Sequence, residues 1–268
     1  MKKQKIIFLT VLSILFICQN SWSQNLLEVE GELSMPNTAV INVHGNFVEN
    51  VADPQLAQDA ATKAYVDNLL LSFGVSIGSS GIQGLLNVGF SPSVIISNGA
   101  PLTDFIGLNH EGGIIFYMDP SGNGTGLVSA VMDQSTGAQW GCFGTLIGGT
   151  NETIGTGQAN TTAIVNGCGE TGIAAKLCDD LVVGIYDDWY LPSKDELNEM
   201  WVNLADSDGD GTNTGPSDPN NIGGFADSFY WSSSEFDDFN AWLQSFNDGF
   251  QPSGSKGGNV RVRAIRAF

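Results

Sequence analysis

The chain has 268 residues, 34 of them glycine, and sets 10 Lys+Arg against 29 Asp+Glu for a formal net charge of −19. Glycine this dense, against a usual ~7%, favours turns over long helices and predicts a loop-rich fold containing strands. A polyanion without clustered cations excludes nucleic acid and anionic lipid as partners. The hydrophobic share of 42% is ample for one main domain with an appendage.

Lys2, Lys3 and Lys5 precede the apolar run Ile6 to Ile17, and Ser21-Trp22-Ser23 places small residues before Gln24. That three-part pattern predicts a secretory signal peptide over 1–23. The run is too short for a spanning helix, and no later stretch is long enough, so no transmembrane segment is expected. Ile17 stands where lipid attachment at Cys18 would need a small residue, which argues for ordinary cleavage. Losing three lysines and no acids takes the charge from −19 to −22. Cys142, Cys168 and Cys178 then face an oxidising compartment, where three thiols allow one bridge in three ways. The favoured pairing is Cys168–Cys178, which closes a short loop leading into a helix.

Residues 24–58 read as a short β-rich stalk, with weak alternation at Leu27 to Glu30 and Val40 to Val43. A helix is predicted over 59–74, capped by Asp59 and stopped by Gly74. Its Thr62, Val66, Leu69 and Phe73 are spaced 4, 3 and 4, the seam of a short coiled coil. So short a helix does not hold alone in water, so it packs on its own domain or joins copies of itself. Val51-Ala52-Asp53-Pro54 followed by Asp59 to Asp67 resembles a motif of phage tail-fibre and related stalk proteins. That resemblance implies a parallel homotrimer.

Residues 75–107 repeat a unit, Leu85-Leu86-Asn87-Val88-Gly89 and Ile95-Ile96-Ser97-Asn98-Gly99, each with a proline soon after. They predict two short helices in a connector. The remainder, 108–268, reads as one head domain. A hairpin is expected from Gly113 to Val131 around a turn at Asp119 to Gly124. Helices follow at Ala174 to Leu181 and from Ser193, where Ser193 and Glu196 form a capping box. Strands are expected at Ser228 to Ser232, Ala241 to Phe246 and Val260 to Arg266. The last alternates, with Arg261 and Arg263 on one face and Val260, Val262 and Ala264 on the other.

Several phrases recur in order: Glu111-Gly112-Gly113-Ile114-Ile115-Phe116-Tyr117, Gln139-Trp140-Gly141-Cys142, and Asp187-Asp188-Trp189-Tyr190-Leu191-Pro192-Ser193. Phe229-Tyr230-Trp231-Ser232-Ser233-Ser234-Glu235, Ala241-Trp242 and Arg261-Val262-Arg263-Ala264-Ile265-Arg266 complete the series. Over about 108–268 the chain resembles the Lcl C-terminal domain family, named for a Legionella collagen-like adhesin. The resemblance implies an α+β head, similar to C-type lectin-like and formylglycine-generating-enzyme folds, at the end of a trimeric stalk. The namesake binds glycosaminoglycans. This head offers only Lys176, Lys194, Lys256, Arg261, Arg263 and Arg266 as cations, so that ligand is not carried over.

Asp206-Ser207-Asp208-Gly209-Asp210-Gly211-Thr212 is the strongest chemical signal. Carboxylates at positions 1, 3 and 5 with glycine at 6 let one loop wrap Ca²⁺, while position 7 contributes its carbonyl. Asp206, Asp208, Asp210 and Thr212 are the expected ligands of a structural Ca²⁺; the competing reading is a solvated acidic loop, since Ser217 replaces a bidentate Glu at position 12. Trp231, Glu235, Asp237 and Trp242, with Asp238 beside them, form the expected glycan site. Aromatic faces stack on sugar CH surfaces while carboxylates accept hydroxyl hydrogen bonds. The alternative places those tryptophans in the core. The three arginines are expected to pair with acids.

Only His44 and His110 exist, too few for a Ser-His-Asp set or a His-rich zinc site, so no enzyme is expected. The sequence therefore reads as a secreted or cell-surface adhesin-like protein. Its trimeric stalk presents heads that bind an extracellular ligand, a glycan first, with multiplicity raising weak affinity. A structural cap without ligand is the alternative, and a glycan-active hydrolase the third.

Overall fold

A computed structural model describes residues 78–268. The signal peptide 1–23, the stalk 24–58 and the helix 59–74, with its seam of Thr62, Val66, Leu69 and Phe73, lie outside the described residues.

The connector repeats fold as α1 (Gly78–Asn87) and α2 (Pro92–Ser97), the second begun by Ser91 with Pro92 in its first turn. Each ends near a glycine of positive φ, Gly89 at 92° and Gly99 at 98°. They are more than a linker. Ile82, Leu86, Phe90 and Ile95 are buried in the same cluster as Ile115, Val128 and Trp140 of the head. Strands β1 (Asn109–His110), β2 (Gly113–Met118) and β3 (Gly126–Ala130) follow, and β2 and β3 form the expected hairpin. Asp119 accepts from Ser121 N–H and Asn123 from Thr125 N–H, which shapes the turn between them.

After β4 (Ser135–Ala138) the chain runs through a long loop into α3 (Gly157–Gly167) and α4 (Ala174–Asp179). Helix α3 has no counterpart among the sequence expectations, because Gly, Asn and Thr are poor helix formers. Tertiary contacts hold it instead: Ile164 is buried, Asn160 Nδ2 donates to Ser233 Oγ, and Thr161 Oγ1 accepts from Leu191 N–H. Helix α5 (Lys194–Met200) starts on the Ser193–Glu196 capping box and widens to a π turn over Trp201–Ala205. The last strands are β5 (Phe229–Glu235), β6 (Asn240–Ser245), β7 (Ser253–Ser255), β8 (Val260–Val262) and β9 (Ile265–Ala267).

The architecture is α+β, with one sheet ordered β1-β2-β3-β9 and another β4-β8-β5-β6-β7. The expected single strand Val260 to Arg266 is split at Arg263-Ala264, so its first half lies between β4 and β5 in one sheet and its second half edges the other. Its alternation is kept. Arg261 and Arg263 both reach Asp133 at 2.8 Å, while Val262 and Ala264 are buried. Arg263, 2% exposed, also donates to Ala130 O and Gly223 O and lies 4.2 Å from the Phe225 ring centroid. Tyr230 donates to the same Asp133, and burial pushes its hydroxyl up to about 12.

The disulfide joins Cys142 to Cys168, and Cys178 is a free, buried thiol. This corrects the expected Cys168–Cys178 pairing. Cys178 faces the core from α4, where burial raises its thiol above the ordinary range, while the loop after Gly141 brings Cys142 onto Cys168. A Cβ on Gly141 (φ 106°) would lie 2.7 Å from Ile173 Cγ2, so only glycine allows that approach. Peptide mapping without reductant is expected to find Cys142–Cys168, with Cys178 alkylated only after denaturation. Closing 26 residues of sequence separation predicts a loss of about 3 kcal/mol for Cys142→Ser/Cys168→Ser, read by urea unfolding.

Candidate functional site

The expected glycan-site residues part company. Trp231 is fully buried, its indole N–H donating to Ala138 O, because β5 lies in the middle of its sheet. Glu235 ends the same strand with its side chain only 4% exposed. Neither can face a ligand, so both are withdrawn from the ligand site. Asp237, in the turn between β5 and β6, and Trp242, on β6, are half-buried.

That turn is rigidly built. Phe236 and Asp237 N–H donate to Asn240 O. The Asp237 carboxylate accepts from Phe239 N–H at 2.8 Å, Asn240 N–H at 2.7 Å and Asn240 Nδ2 at 3.0 Å. Its role is to shape the tip, since both oxygens are taken from within. Asp238 is different: its carboxylate makes no hydrogen bond or ion pair among the described residues, and only its backbone carbonyl is used, by Gly144 N–H and Lys256 Nζ.

Beneath the tip lies the buried pair Lys256–Glu235. Lys256 is fully enclosed, and its ammonium also donates to Thr145 O at 2.9 Å and sits 4.7 Å from the Trp140 ring centroid. Glu235 accepts from Ile147 and Gly148 N–H, each at 2.8 Å. One ion pair thus ties the 143–148 loop to the hairpin, and the Cys142–Cys168 bridge anchors that loop at its start.

The supported groups are apolar and exposed. Phe143 is 58% exposed, Leu146 64%, Phe236 52% and Phe239 46%. Phe143 and Phe239 meet edge to face at 5.2 Å, and Phe236 meets Trp242 at 5.0 Å. Lys194 Nζ stands 3.6 Å from the Trp242 ring centroid and pairs with Glu152 at 2.7 Å. Sequence reasoning missed Phe143, Leu146, Phe236 and Phe239. The available signal was two phenylalanines inside the polar turn Glu235-Phe236-Asp237-Asp238-Phe239-Asn240, where turn chemistry gives an apolar side chain no core to enter.

The acidic loop brings its three aspartates together. One carboxylate oxygen from each of Asp206, Asp208 and Asp210 lies within 4.8 Å of the others. Gly211 N–H donates to both Asp206 oxygens at 3.1 Å, and Thr212 N–H and Oγ1 donate to Asp210 at 2.8 Å. Asp206 is raised above the usual carboxylate range by burial, with the Asp210 and Asp208 charges adding to it. The oxygen spacing fits a single ion with ligands at about 2.3–2.6 Å. Asp218, next to the missing position 12, is used within the loop, accepting from Thr214 and Asn220 N–H.

Six lysines and arginines occur among the described residues, and all six are in ion pairs: Lys176 with Asp179 and Asp180, Lys194 with Glu152, Lys256 with Glu235, Arg261 and Arg263 with Asp133, and Arg266 with Glu111 and Asp188. The pairing expected of the arginines is therefore present. No described helix is long and apolar enough to cross a membrane.

The sequence model of the Lcl C-terminal domain matches residues 129–266, more than half of the chain, taking in β4 to β8, most of β9, the helices α3, α4 and α5, and the tip. The chain belongs to the Lcl C-terminal domain family. No curated protein matches it. Within this Lcl domain, the Trp140–Gly141–Cys142 and Phe229 to Glu235 phrases are the core, disulfide and ion-pair framework under the tip.

Replacing Lys256 by Met is expected to cost about 3–5 kcal/mol in urea unfolding, because Glu235 is left buried without its partner. The double variant Lys256→Met/Glu235→Leu should recover part of that loss. Trp231→Ala is expected to cost about 3–5 kcal/mol through its cavity.

Proposed function

We propose that the chain is a secreted or cell-surface, adhesin-like protein whose homotrimeric stalk presents heads that bind an extracellular saccharide. Family membership supports the adhesin-like part, and the signal-like N-terminus supports secretion. The single observation that carries ligand binding is the exposed aromatic tip of Phe143, Phe236 and Phe239, backed by the half-buried Trp242 and fixed by a buried ion pair. Pre-ordering an apolar surface that nothing within the head covers lowers the entropy lost when a ligand settles on it.

The ligand lacks acidic groups, since every described cation is already paired within the head. The sulfated polymers bound by the family's namesake are therefore not proposed here. The fold is read as C-type lectin-like, supported by the late strand β9 pairing back onto β3. The role is read as non-enzymatic: His110, the histidine of the described residues, packs on Phe268 and beside Glu111.

One structural Ca²⁺ is proposed at Asp206, Asp208 and Asp210 with the Thr212 carbonyl. It would relieve the mutual repulsion of three carboxylates and fix the loop after α5. Calorimetry should register Ca²⁺ heat, and EGTA should lower the melting temperature; neither effect would remain in Asp208→Asn/Asp210→Asn. For the whole protein, sedimentation is expected to give a trimer that dissociates when residues 24–74 are removed. On a glycan array, binding to uncharged saccharides should be lost on Phe239→Ser with the melting temperature unchanged. Retention of saccharide by that variant would refute the tip as the site.

A further inference from the structure

The described head is strongly acidic. Twenty-two carboxylates occur among the described residues, and the six cations engage only seven of them. Asp238, between Phe236 and Phe239, is one of those without a cationic partner. An exposed aromatic face attracts a cation through its quadrupole, and a neighbouring carboxylate strengthens the attraction. Apolar CH surface is matched by the Phe143 and Phe239 rings and by Leu146, and the exposed Thr145 lies between Phe143 and Leu146.

The head already uses this chemistry for its own ammonium groups. Lys194 Nζ stands 3.6 Å from the Trp242 ring with Glu152 as its carboxylate. Lys256 Nζ stands 4.7 Å from the Trp140 ring with Glu235 as its carboxylate. The hairpin tip offers two parts of that arrangement close together in sequence, the exposed Phe236 and Phe239 rings and the Asp238 carboxylate, and that carboxylate has no ammonium partner among the described residues.

We propose that the third part comes from the ligand: the tip formed by Phe143, Leu146, Phe236, Asp238 and Phe239 selects saccharides bearing free amino groups. This rests on the saccharide-binding reading above and names its substrate class. The sugar's CH face lies on the rings and its ammonium lies against Asp238. An N-acetylated sugar keeps the stacking and loses the charge, whereas a sulfated or uronic sugar meets repulsion from the uncompensated acids.

Calorimetry on the whole chain tests this with three probes: a β-1,4-linked glucosamine hexamer, its fully N-acetylated counterpart and a heparin hexasaccharide. The glucosamine hexamer is expected to bind about tenfold more tightly than the acetylated one, with the advantage shrinking at high salt, and heparin is expected to give no heat. Asp238→Asn should erase the difference between the first two, since that carboxylate holds nothing in the fold together. Phe143→Ser and Phe239→Ser should weaken both. Equal or tighter binding of the acetylated hexamer overturns the amino-sugar selectivity and leaves the saccharide reading standing. Absence of heat with every saccharide overturns both readings. A Lys/Leu peptide that displaces the glucosamine hexamer and binds more tightly, in a Phe239-dependent way, reassigns the tip to a basic protein segment and overturns the proposal.

Discussion

Lys256 and Glu235 meet where water does not reach, and much of the head is arranged around that meeting. Taking both charges out of solvent costs several kcal/mol for each ion, and attraction between them offsets this only if their remaining hydrogen-bonding capacity is filled. Here it is filled by backbone: Thr145 O and Asp238 O around the ammonium, Ile147 and Gly148 N–H around the carboxylate. Those four backbone groups belong to two segments with little core of their own. The pair therefore converts a glycine-bearing loop and a hairpin turn into one rigid surface. A hydrophobic pair of equal volume would fill the space without specifying where the loop must stop.

A second buried charge does the same for the two sheets. Arg263 stands at the break between β8 and β9, and its guanidinium reaches Asp133, Ala130 O and Gly223 O from one point. The planar fork lets one side chain hold the end of β3, through Ala130 O and Asp133, together with the loop at Gly223. Asp133 in turn collects Arg261 and the Tyr230 hydroxyl. The strand changes sheets at the residue that joins them.

Much of this order is legible in the sequence. The capping box at Ser193 and Glu196, the β2–β3 hairpin and the alternation of Arg261, Val262 and Arg263 rest on local rules that tertiary structure had no reason to override. Helix α3 was hidden because its Asn160 and Thr161 are stabilised by distant partners, Ser233 and Leu191, rather than by propensity. Short sequence separation favours Cys178 as the partner of Cys168, whereas the fold brings Cys142 onto it. Trp231 and Trp242 look alike in sequence. Only their packing separates them: Trp231 is fully buried, whereas Trp242 on β6 is half-buried beneath Phe236.

The internal use of every described cation has a consequence for how such heads crowd together. With no basic side chain left to bridge neighbours, each head carries a diffuse cloud of counter-ions that must be compressed before two heads can touch. Copies displayed densely on one envelope would hold each other apart like bristles of a charged brush. Spacing between them would be governed by the ionic strength of the surrounding water, and divalent ions would draw the bristles closer.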